Sequence, residues 1–139
     1  MKKLDNDLII KVDVNLIADS WNPFRQKVWN GLKSPLNKHE IREAIIDRKL
    51  ILPNTKFTES HRVLPRHIHV EKIAWLVLNF SDDYPIDIDF GIPGMTSNLT
   101  PMIEDGNHRF AAAIYLGRPY IMAGCSGAIS LIETFKYKE

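Results

Sequence analysis

Apolar and polar residues alternate strictly along IDIDFG, residues 86–91. A period of two predicts a strand with Ile86, Ile88 and Phe90 on one face and Asp87 and Asp89 on the other. LIIKVDVNLI (8–17) alternates in part and is rich in β-branched residues, which predicts another strand. TPMIE (100–104) reads as a short strand, and RPYIMAG (118–124) begins one more. Elsewhere the period lengthens to that of a helix. Asp19 or Ser20 could cap a helix through WNPFRQKVWNGLK, with Phe24, Val28 and Leu32 on one face and its end near Gly31. In SPLNKHEIREAIIDRKL, Ser34 or Asn37 could cap a helix carrying Ile41, Ala44, Ile45 and Leu50. VEKIAWLVLNF (70–80) is apolar almost throughout, and its length favours a buried helix with Ile73, Leu76, Val77 and Phe80 on one side. The preceding LPNTKFTESHRVLPRHIH has two prolines and no period, so it reads as a loop. SDDYP breaks the chain after residue 80, and GIPGMTSNLTP (91–101) is a second loop. Residues 106–116 form a compact alanine-rich helix, with Asp105 as its N-cap and Gly117 just past its end. SGAISLIETF ends the pattern as a helix or strand. These elements predict one mixed α/β domain (α+β, mixed sheet) over residues 1–139.

Composition narrows the class. Apolar residues are 45% and charged residues 25% of the chain, which fits a globular protein able to bury a core. No apolar run reaches the roughly 18 residues of a membrane span, and the N-terminus does not read as a signal peptide. The single cysteine, Cys125, excludes an internal disulfide and makes a reducing, cytoplasmic compartment the expectation. Charge is divided unevenly. Residues 1–69 hold 13 Lys/Arg against 8 Asp/Glu, a net of +5, and residues 70–139 hold 5 against 9, a net of −4. The overall +1 is low for a dedicated nucleic-acid binder, although the first half could present a basic face.

The chemistry concentrates at DGNHR, residues 105–109. A helix start offers unpaired N–H groups and partial positive charge to an anion. Gly106 would let a ligand approach the backbone, Asn107 and His108 can donate hydrogen bonds, and Arg109 can grip a phosphate bidentately. Asp105 would repel a phosphate directly, so it would cap the helix, hold Arg109 or His108, or ligate magnesium beside the phosphate. The same five residues could equally be a capped helix start on a solvated surface.

IEDGNHRFAAAIYLGRPYI resembles the signature stretch of the ParB/sulfiredoxin superfamily, in which a strand, a G-x-x-R-type turn, an alanine-rich helix, a glycine and another strand follow one another. The likeness is good over residues 100–122, weaker in HVEKIAWLVLNF and PIDIDFG, and limited to element order before residue 60. Sulfiredoxins carry a catalytic cysteine where this chain has Asn107, so sulfinic acid reduction is not expected. Partition-type ParB proteins carry G-E-R-R at the turn, bind CTP, and add a helix-turn-helix and a dimerisation tail, neither of which is expected in the roughly twenty residues after the signature. The D-G-x-H-R form is most similar to the free-serine kinase branch. That resemblance implies Asp105 as the acid of phosphoryl transfer, His108 and Arg109 on the phosphates, and Mg2+ with a nucleotide (ATP, ADP or CTP) as cofactors. The branch also uses a distant glutamate as base, for which Asp13 and Asp19 are the nearest acids here, without a matching motif. The resulting expectation is a nucleotide-phosphate-binding protein with NTPase or small-molecule kinase chemistry. Its phosphate contacts would be Gly106, Asn107, His108 and Arg109, its catalytic residues Asp105 and His108, and its metal ligand Asp105. The alternatives are a ParB-like DNA-binding protein or nuclease of plasmid or phage type, and a catalytically inert module that binds a protein partner.

Other groups stand beside their plainer readings. His61, His67 and His69, with His108, could bind a transition metal, and with Arg62 and Arg66 they could form a basic loop on phosphate or nucleic acid. They could also be a solvated loop. Asp87 and Asp89, preceded by Asp82 and Asp83, could hold magnesium, with Asp105 if the strands are neighbours, or be the wet face of an edge strand. Trp21, Trp29 and Trp75 read as core anchors. The 91–101 loop could close over a nucleotide or simply connect two strands.

Overall fold

The computed structural model describes residues 8–55, 63–91 and 101–139. Among the described residues, four strands form a mixed sheet: β1 (Leu8–Asp13), β2 (Ile86–Asp89), β3 (Met102–Asp105) and β4 (Tyr120–Ser126). Their order is β1-β4-β2-β3. β1 runs antiparallel to β4, β4 runs parallel to β2, and β2 runs antiparallel to β3. The described helices are α1 (Val14–Ala18), α2 (Lys38–Ile46), α3 (Arg66–Leu78), α4 (Asn107–Leu116) and α5 (Ile129–Phe135). The mixed α/β class read from the pattern is therefore the class of the fold. None of these helices is long and apolar enough to cross a membrane.

One face of the sheet carries the core. Val12, Ile86, Ile88, Phe90, Ile103, Ile121, Ala123 and Cys125 alternate inward and meet Phe110 and Ala113 of α4 and Ile132 of α5. A second cluster lies between helices, where Ala111 and Ala112 of α4 meet Ile73 and Ala74 of α3 and Ile41 and Ala44 of α2. The AAA run thus serves two purposes. It lets α3 approach α4 closely, and it leaves α4 buried on both sides, as a helix apolar almost all round must be. Complete burial of Phe90 and Phe110 contributes about 2–3 kcal/mol each.

Several predicted boundaries move, each for a local reason. The strand over 8–17 stops at Asp13, whose side chain accepts from the Leu16 N–H at 3.0 Å and starts α1. The helix predicted from Asp19 or Ser20 to Gly31 does not form; the segment is a series of turns. Asn22 accepts from the Phe24 N–H through its side chain, and Gln26 bonds both the Asn22 N–H and the Ser20 carbonyl. These side chains satisfy the backbone locally and compete with a helical ladder. α2 is capped by Asn37, not Ser34, through a reciprocal capping box with Glu40. It ends before Leu50 because Arg48 turns into the left-handed region at φ 57°. The loop predicted over 52–69 is helical from Arg66, immediately after Pro65, so α3 starts four residues before the predicted Val70. Arg66 secures that start with a bidentate grip on Glu40, both contacts at 2.7 Å, and with bonds to the Ser34 and Pro35 carbonyls. The last segment is a helix, and the strand expected over 118–124 runs from Tyr120 to Ser126.

Candidate functional site

β3 ends at Asp105, the chain reverses at Gly106, and α4 begins at Asn107. Gly106 adopts φ 102°, which only glycine takes without strain. A Cβ there would collide with the Ile86 side chain, so the missing side chain serves packing against β2 rather than ligand approach. Asp105 was expected to cap α4. It is instead the last residue of β3, and the residue at the cap is Gly106, which offers no side-chain bond. Asp105 sits opposite Asp87 in the β2–β3 register and lies one residue before the cap, because the helix begins at Asn107. Consequently the N–H groups of Asn107, His108 and Arg109 make no hydrogen bond among the described residues, while the next N–H, of Phe110, already bonds the Gly106 carbonyl at 2.8 Å.

The five residues of the motif then part company. Asn107 turns inward: its side-chain oxygen accepts from Trp21 Nε1 at 2.7 Å, and its Nδ2 reaches the Ile103 carbonyl at 3.4 Å. His108 meets His69 of α3, with 2.9 Å between His69 Nδ1 and His108 Nε2. Trp29 lies over both imidazoles at centroid distances of 4.7 and 4.8 Å, with interplanar angles of 25° and 21°. Burial pushes the His69 pKa down to about 4 and the His108 pKa down to about 3, with Lys72 adding repulsion to both and Arg109 to His108. Both rings are therefore neutral near pH 7, as their bond demands, since one nitrogen must give a proton and the other a lone pair. The other nitrogen of His69, Nε2, is buried with no partner among the described residues. A bare lone pair is easier to leave there than an orphaned N–H, so His69 Nδ1 is the better donor and the His108 proton rests on Nδ1.

Asp105 and Arg109 face the other way. With Gly106 and His108 they line a cleft of about 460 Å³ whose lining also includes Trp75, Tyr84 and Asn54. The Arg109 guanidinium makes no hydrogen bond among the described residues and lies 5.7 Å from the centre of the Tyr84 ring, inside cation–π range. Burial lowers its pKa from the usual value, while Asp105 and Tyr84 oppose that shift.

The remaining candidates scatter. His61 and Arg62 lie outside the described residues, as do residues 92–100 of the 91–101 loop. His67 is exposed and His69 is buried, because a spacing of two puts them on opposite sides of α3. Among the described residues no group of three His, Cys, Asp or Glu could hold a metal ion. Asp82 pairs with Arg118 at 2.9 Å, and Asp89 accepts from the Gly91 N–H at 2.8 Å. Asp87 is exposed beside the β3 edge. Cys125 is buried, with its thiol pushed up to about 12 by that burial and by Asp87, so it has no thiolate to offer. Sequence reasoning missed three features. Tyr84 reads only as part of a chain break, and Trp75 reads as core although it lines the cleft. The pairing of His69 with His108 spans 39 residues and leaves no local signal.

Comparison with family models, curated proteins and solved structures gives no match to this chain.

Proposed function

We propose that this chain binds the phosphates of a nucleotide in the DGNHR cleft, as a ParB/sulfiredoxin-like protein with NTPase or small-molecule kinase chemistry. The observation that carries the reading is the conjunction at one wall of one cleft. Among the described residues, the first three N–H groups of an uncapped ten-residue helix make no hydrogen bond, two of their residues, His108 and Arg109, line the cleft, and the Arg109 guanidinium has unused donors. A phosphate satisfies both sets at once, with the helix dipole and the guanidinium acting in the same direction. Trp75 and Tyr84 line the same cleft and offer apolar, π-rich surface for a base. The order strand, glycine turn, alanine-rich helix, glycine, strand over residues 102–126 agrees with what the resemblance implies. Asp105 and its register partner Asp87 are hard oxygen donors of the kind Mg2+ accepts together with waters and substrate phosphates. Bound there, the ion would neutralise phosphate charge. The protein's own contribution is positioning: Arg109 and the helix N–H groups hold the phosphates, and Asp105 orients the acceptor.

Asn107 takes a different role in this reading. Its carboxamide is committed to Trp21 and Ile103, so it gives a phosphate its backbone N–H and not its side chain. The same commitment of Asn107, and of His108 to His69, favours a second reading, a protein-binding module that keeps the fold without the chemistry. In that case Arg109→Ala and Asp105→Ala leave function intact.

Isothermal titration with ATP, ADP and CTP, each with magnesium, tests the first reading. The expected result is binding of at least one nucleotide, weakened roughly 10- to 100-fold by Arg109→Ala, the effect of losing about 1.5–3 kcal/mol of charged hydrogen bonding. Absence of binding to all three, or binding indifferent to Arg109→Ala, overturns it.

A further inference from the structure

A second cleft, away from DGNHR, has a different character. It measures about 350 Å³ and brings together Arg25 of the turn segment, Lys38 at the start of α2 and Arg118 after α4, with Asp19 as its carboxylate. Arg118 is held by Asp82 and lies over the Phe80 ring, so its charge is partly spent. Arg25 and Lys38 have no carboxylate partner among the described residues.

The charge continues along α2. Residues 25–49 hold seven Lys/Arg and three Asp/Glu. All seven cations are exposed, whereas Glu40 is tied to Arg66. At 100° per residue, Arg42 stands about 40° from Lys38, one turn further on, while Glu40, Glu43 and Asp47 stand roughly 140–200° away. Helix periodicity thus sorts the signs, with cations on the side of the second cleft and acids on the opposite side. The apolar positions Ile41 and Ala44 face inward and are buried, so α2 has no wide apolar face for a lipid surface.

We propose that Arg25, Lys38 and Arg42 form a docking surface for the phosphodiester backbone of a nucleic acid. Three arguments select an extended polyanion over a small anion. The cations run beyond the cleft along the helix. The capping box of α2 already uses the N–H groups of Asn37 and Glu40, which leaves a small anion fewer donors there. The second cleft also abuts Ile114 and Gly117 at the C-terminal end of α4, where the dipole repels a lone anion. Binding must then come from several separate phosphate contacts and counterion release, which a repeating backbone provides. The surface is distinct from the nucleotide cleft and does not depend on it.

The test is fluorescence anisotropy of a labelled duplex of about 20 base pairs with the whole chain. Three phosphate contacts predict a log–log salt slope of about −2.7, a loss of roughly 40-fold between 50 and 200 mM salt. The triple variant Arg25→Gln/Lys38→Gln/Arg42→Gln should lose binding at low salt, with unchanged melting temperature. Arg42→Gln alone should reduce the slope by about 0.9. Arg109→Ala should bind the duplex as the parent does. The proposal is overturned by absence of binding at 50 mM salt, by wild-type affinity in the triple variant, by loss of binding in Arg109→Ala, or by equally tight binding of polyglutamate or phosphatidylserine vesicles.

Discussion

The two sides of the turn that opens α4 are built from adjacent residues and have opposite fates. On one side, Asn107 and His108 meet Trp21 and Trp29, their side chains bonded to partners far away in the chain, although His108 keeps an edge on the cleft. On the other, Asp105 and Arg109 face an open cleft, and the described residues leave the Arg109 donors unused. The difference teaches that a run of reactive residue types need not act as a unit. Successive residues at a helix start point in directions about 100° apart, so one short motif can anchor the fold with some members and present a site with others.

That contrast can be broken most forcefully at its pivot. Gly106→Ala must accept both φ 102° and a clash with Ile86, and should cost about 3 kcal/mol, a fall of roughly 10 °C in melting temperature. A variant that melts like the parent would show that the turn is not confined as described. Next in size, Trp29→Ala uncovers the imidazole pair and should cost about 2–3 kcal/mol. NMR titration of this variant should also find His108 moving from about 3 back toward the ordinary histidine value, and an unmoved value would count against burial as the cause.

Acid sharpens the comparison without any substitution. His69 and His108 have folded pKa values near 4 and 3, below the roughly 6.5 of the unfolded chain. Their contribution is complete above pH 6.5. It is lost as pH falls from there toward the folded values, because the unfolded chain takes up protons that the folded one refuses. The expected loss is about 1 kcal/mol per imidazole by pH 5.5, read as a melting temperature that declines more steeply in the parent than in His108→Phe. Parallel profiles would remove the buried pair as the source. The smallest effect on stability belongs to the open side. Arg109→Ala should change the unfolding free energy by less than about 0.5 kcal/mol in chemical denaturation, because the side chain supports no bond in the described fold. A loss of several kcal/mol would make Arg109 a structural residue and remove the contrast.

Much of the fold was readable wherever the determinants were local. The alternation in IDIDFG, the cap at Asn37, offered beside Ser34, the alanine-rich helix and its closing Gly117 each depend on residues within one turn or one strand of each other. Reading failed where short side chains outbid the pattern. Asn22 and Gln26 bond backbone groups beside them, so apolar residues at helical spacing never formed a helix. It failed again before Val70, where the helical start from Arg66 depends on contacts with Ser34, Pro35 and Glu40 about thirty positions away. The site divides in the same manner. DGNHR stood out as a chemical cluster, but which of its members would be free could not be seen.

By itself, then, the sequence determined which segments become strands and helices with strong periodicity, where glycine had to stand, and which five residues carried the concentrated chemistry. These follow from backbone sterics and near-neighbour spacing, which act over a few residues. Only the tertiary structure decided that Trp21 and Trp29 would take Asn107 and His108 into the protein, that His69 would meet His108, and that Arg109 would open on a cleft walled by Trp75 and Tyr84. Those outcomes depend on which surfaces exclude water against each other, and burial is a property of the assembled chain rather than of any stretch of it.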